Sequence, residues 1–259
     1  MVQTISIASG KGGVGKTSLA VNLSLALSMD SHRVALFDAD FGMANGHILL
    51  NQKVEKTLFD MLESDVPLES VIKDHFSGLK LIPGGSGVVE MLNIDQEQRF
   101  ALIRSLDMLS DELDFLIVDT PAGGADSTID FAAACDKTVV VLTPEPTSFM
   151  DAYSLIKVLS LEKESQSILI VVNLVNSAAE AQKCFENFVK IVDKFLSVNL
   201  QYAGYLPKSS VVNNSIVSRK PFILDATKKN LAPHKNIHSI KDAVIHAPIS
   251  ECSGIKFFT

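Results

Sequence analysis

Cysteine is scarce in this chain, and the three it has, Cys135, Cys184 and Cys252, stand far apart. There is no CxxC pair, which argues against a zinc site, an iron–sulfur site of that kind and a disulfide framework. Reduced thiols in a cytoplasm are the simplest setting for such usage. Long apolar runs are missing too. The longest, "ILIVV" at 168–172, is strand-sized, whereas a helix needs ~20 apolar residues to span a bilayer. The opening residues, "MVQTISIAS", carry no basic segment and lead into a strand pattern, so no signal peptide is expected. No internal repeat, low-complexity tract or long Pro/Gly/Ser linker interrupts the chain. Nor is there an excess of positive charge: the net charge is −7, which argues against broad, unspecific DNA binding.

What is present is an ordinary globular composition, 47% apolar and 20% charged over 259 residues, a size that one α/β domain often reaches. The charge is uneven. From Pro207 onward there are eight Lys/Arg against three Asp/Glu, a net +5, which leaves −12 on the first 206 residues. A basic end on an acidic body suits an anionic lipid, an acidic partner or simply a solvated face.

Short β-rich runs at 3–8, 34–38, 79–82, 114–119, 138–143, 168–173 and 202–206 alternate with helical patterns at 17–29, 96–110, 126–134, 148–160, 178–196 and 237–247. Strands alternating with helices imply βαβ units and a mostly parallel sheet. Continuous apolar runs such as "TVVVL" fit strands covered on both faces. Right-handed crossovers then give a doubly wound three-layer αβα sandwich. We expect a single domain over 1–259, with ligands at the carboxyl ends of the strands. In the last helical pattern, Ile237, Ile240 and Val244 make a core stripe at i, i+3 and i+7. His234 and His238 are i,i+4 but lack the acid of a zinc motif.

"GKGGVGKT" (10–17) follows a strand and opens a helix, which is the context that confirms a P-loop. Gly10, Gly12, Gly13 and Gly15 let the backbone turn its N–H groups, that of Val14 included, toward phosphate. The helix N-terminus adds its dipole. Lys16 would reach the β and γ phosphates of ATP, the Thr17 hydroxyl would ligate Mg²⁺, and Ser18 would donate to the α phosphate. Two further strands end in acids. "VALFDADFG" (34–42) brings Asp38 and Asp40 to one side of the chain. "FLIVDTPAGG" (115–124) ends in Asp119, suited to holding Mg²⁺ through water. Its continuation, Thr120 and Pro121, is placed to move as a switch when the γ phosphate leaves.

The loop has a second lysine, Lys11. With it, "KGGVGKTS" resembles the deviant Walker A motif of the MinD/ParA family of ATPases. The resemblance implies that Lys11 reaches across an ATP-bound homodimer to the partner's phosphates, acting as an arginine finger does. It implies that Asp40 activates or orients the attacking water and that Asp38 is a switch residue near the magnesium shell. It places Asn173 at the adenine edge and Pro207 on the other side of the base, although both are also ordinary strand-end residues. "DADFGMANGHILL" (38–50), "LIPGGSG" (81–87) and "EPTSFMDAYSLIK" (145–157) look most like the FlhG/FleN branch, MinD-like ATPases that control flagellar number and placement. There Glu145 matches a position facing the partner subunit's nucleotide, and Thr147 or Ser148 would cap the helix that follows.

The branch resemblance implies a regulatory protein partner such as a flagellar transcriptional activator, and a cytoplasmic protein peripheral at the membrane or cell pole. His47 stands where relatives carry an Asp. Many relatives have an N-terminal extension acting on the GTPase FlhF, and a C-terminal amphipathic membrane helix. Neither is expected here. The six residues "GIKFFT" are too few for a stable amphipathic helix, so either the membrane hook is missing or only a hydrophobic end (Ile255, Phe257, Phe258) remains for a weak peripheral contact. Other readings are a DNA- or cargo-positioning ParA-type ATPase, a small-molecule P-loop ligase or kinase, and a metallocluster carrier.

Overall fold

Chain order and sheet order differ, and the difference creates the site. The computed structural model describes all residues except 43, 65, 86–93, 163–166, 250–254 and 259, and only the backbone of Glu63. Among these, one sheet contains β1 (Gln3–Ser9), β2 (Val34–Asp38), β3 (Lys73–Asp74), β4 (Lys80–Pro83), β5 (Phe115–Ala122), β6 (Lys137–Leu142), β7 (Ser167–Val175) and β8 (Leu200–Pro207). The spatial order is β3-β4-β2-β5-β1-β6-β7-β8. Every neighbouring pair is parallel except the edge pair β3–β4. The chain leaves β1 between β5 and β6, so a crevice opens at its carboxyl end, where the topology reverses.

The helices are α1 (Lys16–Met29), α2 (Gly46–Leu49), α3 (Leu58–Ser64), α4 (Leu68–Val71), α5 (Gln96–Ser105), α6 (Asp126–Ala133), α7 (Pro146–Glu162), α8 (Ala178–Val192), α9 (Ser210–Ser218) and α10 (Ala232–His246). Period-two alternation sorts the strand residues onto two faces. Ile5, Ile7, Leu36, Ile117, Val139 and Val171 pack on α1 and α10, forming one continuous core. The opposite face is split in two. Phe37, Leu116 and Val118 meet α5 and α6, while Val140, Leu142, Ile170 and Val172 meet α7 and α8. Between these halves β1 presents Thr4, which bonds to Asp136 just before β6, and Ser6, which bonds to Thr138 of β6.

Several boundaries differ from the sequence reading, each for a local reason. α7 begins at Pro146, because proline at a first helical position loses no hydrogen bond. Ser148 therefore lies inside the first turn and accepts from the Thr143 N–H rather than capping the helix. α10 likewise begins at Ala232, with proline in its first turn. α5 tightens into a 3₁₀ turn, Leu106–Leu109. The short helices α2, α3 and α4 are too brief to show a period in the sequence, and α9 breaks the expected pattern by turning Ile216 and Val217 outward. The i, i+3, i+7 stripe is core: Ile237, Ile240 and Val244 are fully buried.

The hydrophobic end is also core. Phe257 is buried against Phe37 and Phe131, and its N–H donates to the Ala134 carbonyl. Ile255 and Phe258 pack beside it, partly buried, so this hydrophobic end lies against the protein's own core. Met43 of the 38–50 stretch, residues 86–87 of "LIPGGSG", Cys252, and Gly254 and Thr259 lie outside the described residues.

Candidate functional site

β1 ends at Ser9, whose hydroxyl donates to the Lys11 carbonyl and starts the turn of the loop. Two glycines there are required by space. A Cβ on Gly10 would fall 2.2 Å from the backbone carbonyl of Asp151 on α7. Gly15 caps α1 in the left-handed region at φ 90°, and a Cβ there would also strike the Asn173 amide. The loop is thus wedged between α7 and the end of β7. Asn173 braces it: its amide donates to the Val14 carbonyl at 2.6 Å and accepts from the Leu174 N–H. Sequence reasoning assigned Asn173 only to the base; its grip on the loop 159 residues away leaves no local sequence signal. Pro207 ends β8 opposite Val175, on the same edge of the sheet.

The two lysines of the loop stand in opposite environments. Lys16 is 7% exposed and its Nζ lies 2.8 Å from Asp119 Oδ1. Lys11 is 40% exposed and reaches outward to Glu145 Oε2 at 2.8 Å, with Thr147 Oγ1 at 3.4 Å. Lys11 and Glu145, both assigned to a partner subunit's nucleotide, thus pair with each other within this chain. Glu145 holds the Lys11 ammonium above its usual range.

Asp38 and Asp119 are register partners on adjacent strands, and both are 1% exposed. Two carboxylates this close and this dry resist double ionisation. Burial, then the Asp119 charge, push Asp38 up to about 8, although the Gly46 N–H and Lys16 oppose the shift. That N–H comes from the first turn of α2 and sits 2.8 Å from Asp38 Oδ2. Burial raises Asp119 as well; the Lys16 charge and the Thr17 hydroxyl pull it back. Asp119 Oδ2 is buried and has no hydrogen-bond partner among the described residues. Thr120 is buried, with its hydroxyl on the Ile7 carbonyl. Asp40 and Pro121 line a cleft of about 350 Å³ with Arg99, whose guanidinium pairs with Asp130 and donates to the Ile94 carbonyl. Arg99 had no signal in the sequence reading; a charged residue in a short amphipathic helix looks like surface.

A loop that wraps its backbone and a buried ammonium around one spot at the carboxyl edge of a parallel sheet is suited to nucleotide phosphates. Fold and site together define a P-loop nucleotide-binding protein. The ParA family model, described as "NUBPL iron-transfer P-loop NTPase", matches residues 1–245. The antiactivator FleN of Pseudomonas aeruginosa is 38% identical over 219 residues, 85% of this chain and 78% of that protein. The flagellum site-determining protein YlxH of Helicobacter pylori is 33% identical, covering 83% of this chain and 73% of its own. Among solved structures, the MinC:MinD cell division protein complex of Aquifex aeolicus superposes with a TM-score of 0.77 at 25% identity, covering 99% of both chains. The chain belongs to the ParA/MinD family of P-loop ATPases. Among the described residues, no helix is long and apolar enough to cross a membrane.

Proposed function

We propose that this chain is an ATP-driven dimerisation switch that controls flagellar number or placement through a regulatory protein. The observation that carries the proposal is the opposed setting of the two loop lysines. Lys16 is committed inward, to its own site; Lys11 is held at the rim, where it can exchange Glu145 for a neighbour's phosphate. Gly10, Gly12, Gly13, Val14 and Gly15 form the cradle, Ser18 serves the α phosphate, and Asn173 and Pro207 flank the base. The unpartnered Asp119 Oδ2 and the Thr17 hydroxyl beside that carboxylate fit a magnesium ion. When bound, Mg²⁺ neutralises charge on the phosphate oxygens.

Asp40 lies half-exposed at the mouth of the cleft beyond β2, where it can orient a water toward the γ phosphate and accept its proton. Lys16, released from Asp119, follows the charge that builds on the β–γ bridge. Asp38 grips the N-terminus of α2, and Asp119 leads into Thr120 and Pro121, so both acids link the phosphate end to segments that can move. The flagellar role is supported by the two relatives that are a named antiactivator and a named flagellum site-determining protein. With that role goes a cytoplasmic protein, peripheral at the membrane or cell pole. The iron-transfer description attached to the family model is not extended to this chain, because Cys135 and Cys184 are buried in the core.

The test is turnover and assembly with Asp40→Ala. Hydrolysis of ATP·Mg²⁺ is expected to fall at least a hundredfold while ATP-dependent dimers persist. Unchanged turnover would remove Asp40 from the reaction, and ATP use only in the presence of a small metabolite would favour a ligase or kinase.

A further inference from the structure

One sizeable cavity lies away from the nucleotide loop. It measures about 650 Å³ and opens between the end of α2, the turn joining β3 to β4, and the end of α9 with the two 3₁₀ turns that follow it. No residue of the P-loop, and none of Asp38, Asp40 and Asp119, lines it. Its volume is that of an ordinary ligand pocket.

The cavity is apolar at its base and cationic at its rim. Leu50 and Phe222 are buried in its floor. Phe76 stands at the mouth, 86% exposed, with its ring 4.1 Å from that of the buried His75. A large aromatic ring held in water by a tight turn marks an interaction surface more than a core. Arg219 and Lys220 are exposed on the rim; among the described residues neither forms an ion pair. Lys228 completes the rim and is paired with Asp225 at 2.7 Å. Arg219 also caps α9 in the left-handed region at φ 53°, a conformation that suits glycine or asparagine and costs a long side chain about 1 kcal/mol. The helix dipole accounts for a cation there, but not for a second unpaired cation next to it over an apolar hollow.

This feature also localises the charge asymmetry of the sequence. Residues 207–229 hold five Lys/Arg and one acid in a chain of net charge −7, and three of those five cations stand on this rim. We propose that the cavity is a docking site for an acidic segment of a protein partner, with an aromatic or leucine side chain as its anchor. The anchor fills the hollow over Phe222 and Leu50, against Phe76, and flanking Asp or Glu side chains meet Arg219 and Lys220. Concavity favours a peptide over a lipid surface: a bilayer presents a plane and leaves a hollow of this size unfilled. The walls also flank the nucleotide site. α2 follows the segment that carries Asp38 and Asp40, α9 follows Pro207, and a small void joins Ser215 and Pro221 of the cavity wall to Ser18 of the phosphate loop.

The test is a selection on the full-length protein from a phage-displayed library of random nonapeptides, with saturating ADP·Mg²⁺ to keep acidic sequences off the phosphate loop. The expected consensus has an aromatic or leucine anchor flanked by Asp or Glu. A labelled consensus peptide, measured by fluorescence anisotropy, should bind at least tenfold more weakly to Arg219→Glu/Lys220→Glu and to Phe76→Ser. It should also bind at least tenfold more weakly when its anchor is serine. Thermal melting and ADP affinity of the variants should be unchanged, since the substituted side chains are exposed. A library yielding no consensus, a consensus without acids, or equal binding to the charge-reversed variant would overturn the proposal. So would sedimentation with phosphatidylglycerol vesicles that depends on Arg219 and Lys220 while the peptide does not.

Discussion

Substituting Asp38 by asparagine should flatten the pH dependence of this protein's stability. Asp38 is 1% exposed beside Asp119, and its carboxyl is pushed up to about 8. An unfolded aspartate titrates near 3.9, and each unit of difference corresponds to about 1.4 kcal/mol. Between those values the native chain holds a proton that the unfolded chain releases. The native state binds more protons, so stability falls as pH rises from about 4 to about 8. The full interval corresponds to about 6 kcal/mol. Relaxation of the site and entry of water reduce the cost of a second charge there, so about 2–3 kcal/mol is a fair expectation for the measurable effect. The amide of Asp38→Asn would still accept from the Gly46 N–H but would carry no charge at any pH. Urea unfolding of the nucleotide-free wild type and Asp38→Asn, at pH 5, 6, 7 and 8, isolates the pair because groups remote from Asp38 and Asp119 cancel in the difference. At pH 5 the variant should be ahead by less than about 1 kcal/mol; at pH 8 it should be about 2 kcal/mol more stable. Parallel pH profiles would refute the argument that Asp38 and Asp119 share a site too dry for two charges.

Other substitutions probe the loop's supports. Asn173→Ala leaves the Val14 carbonyl without its 2.6 Å donor and should cost about 1–3 kcal/mol, read by urea unfolding, together with weaker binding of a fluorescent ADP. Gly10→Ala puts a methyl group 2.2 Å from the Asp151 carbonyl. It should cost about 1–3 kcal/mol and abolish binding of the same fluorescent ADP, with the fold retained by circular dichroism.

Much of this molecule was legible in the sequence, for reasons visible in particular elements. β6 and β7 are covered on both faces, so "TVVVL" and "ILIVV" appear as unbroken apolar runs. The phosphate loop is contiguous, and its glycines and lysines are needed within a few residues of one another. α2, α3 and α4 were missed because four to seven residues cannot display a 3.6-residue period. α9 was missed because its apolar residues, such as Ile216 and Val217, face outward and break the expected pattern. Supports that join distant parts of the chain left no trace either: Asn173 on Val14, Arg99 on Asp130, and the carbonyl of Asp151 against Gly10. The pairing of Lys11 with Glu145 is the instructive case. Both residues were singled out as contacts to a neighbour, and in a lone chain each finds the other.

That pairing frames the most direct test of the account. Size-exclusion chromatography with light scattering, in ADP·Mg²⁺ and in ATP·Mg²⁺, should show the wild type moving from monomer to dimer only with ATP. Lys11→Ala should bind ATP through its intact Lys16 yet stay monomeric. An ATP-dependent dimer that persists unchanged in Lys11→Ala would contradict the central claim that the second lysine of the loop serves the neighbour's nucleotide.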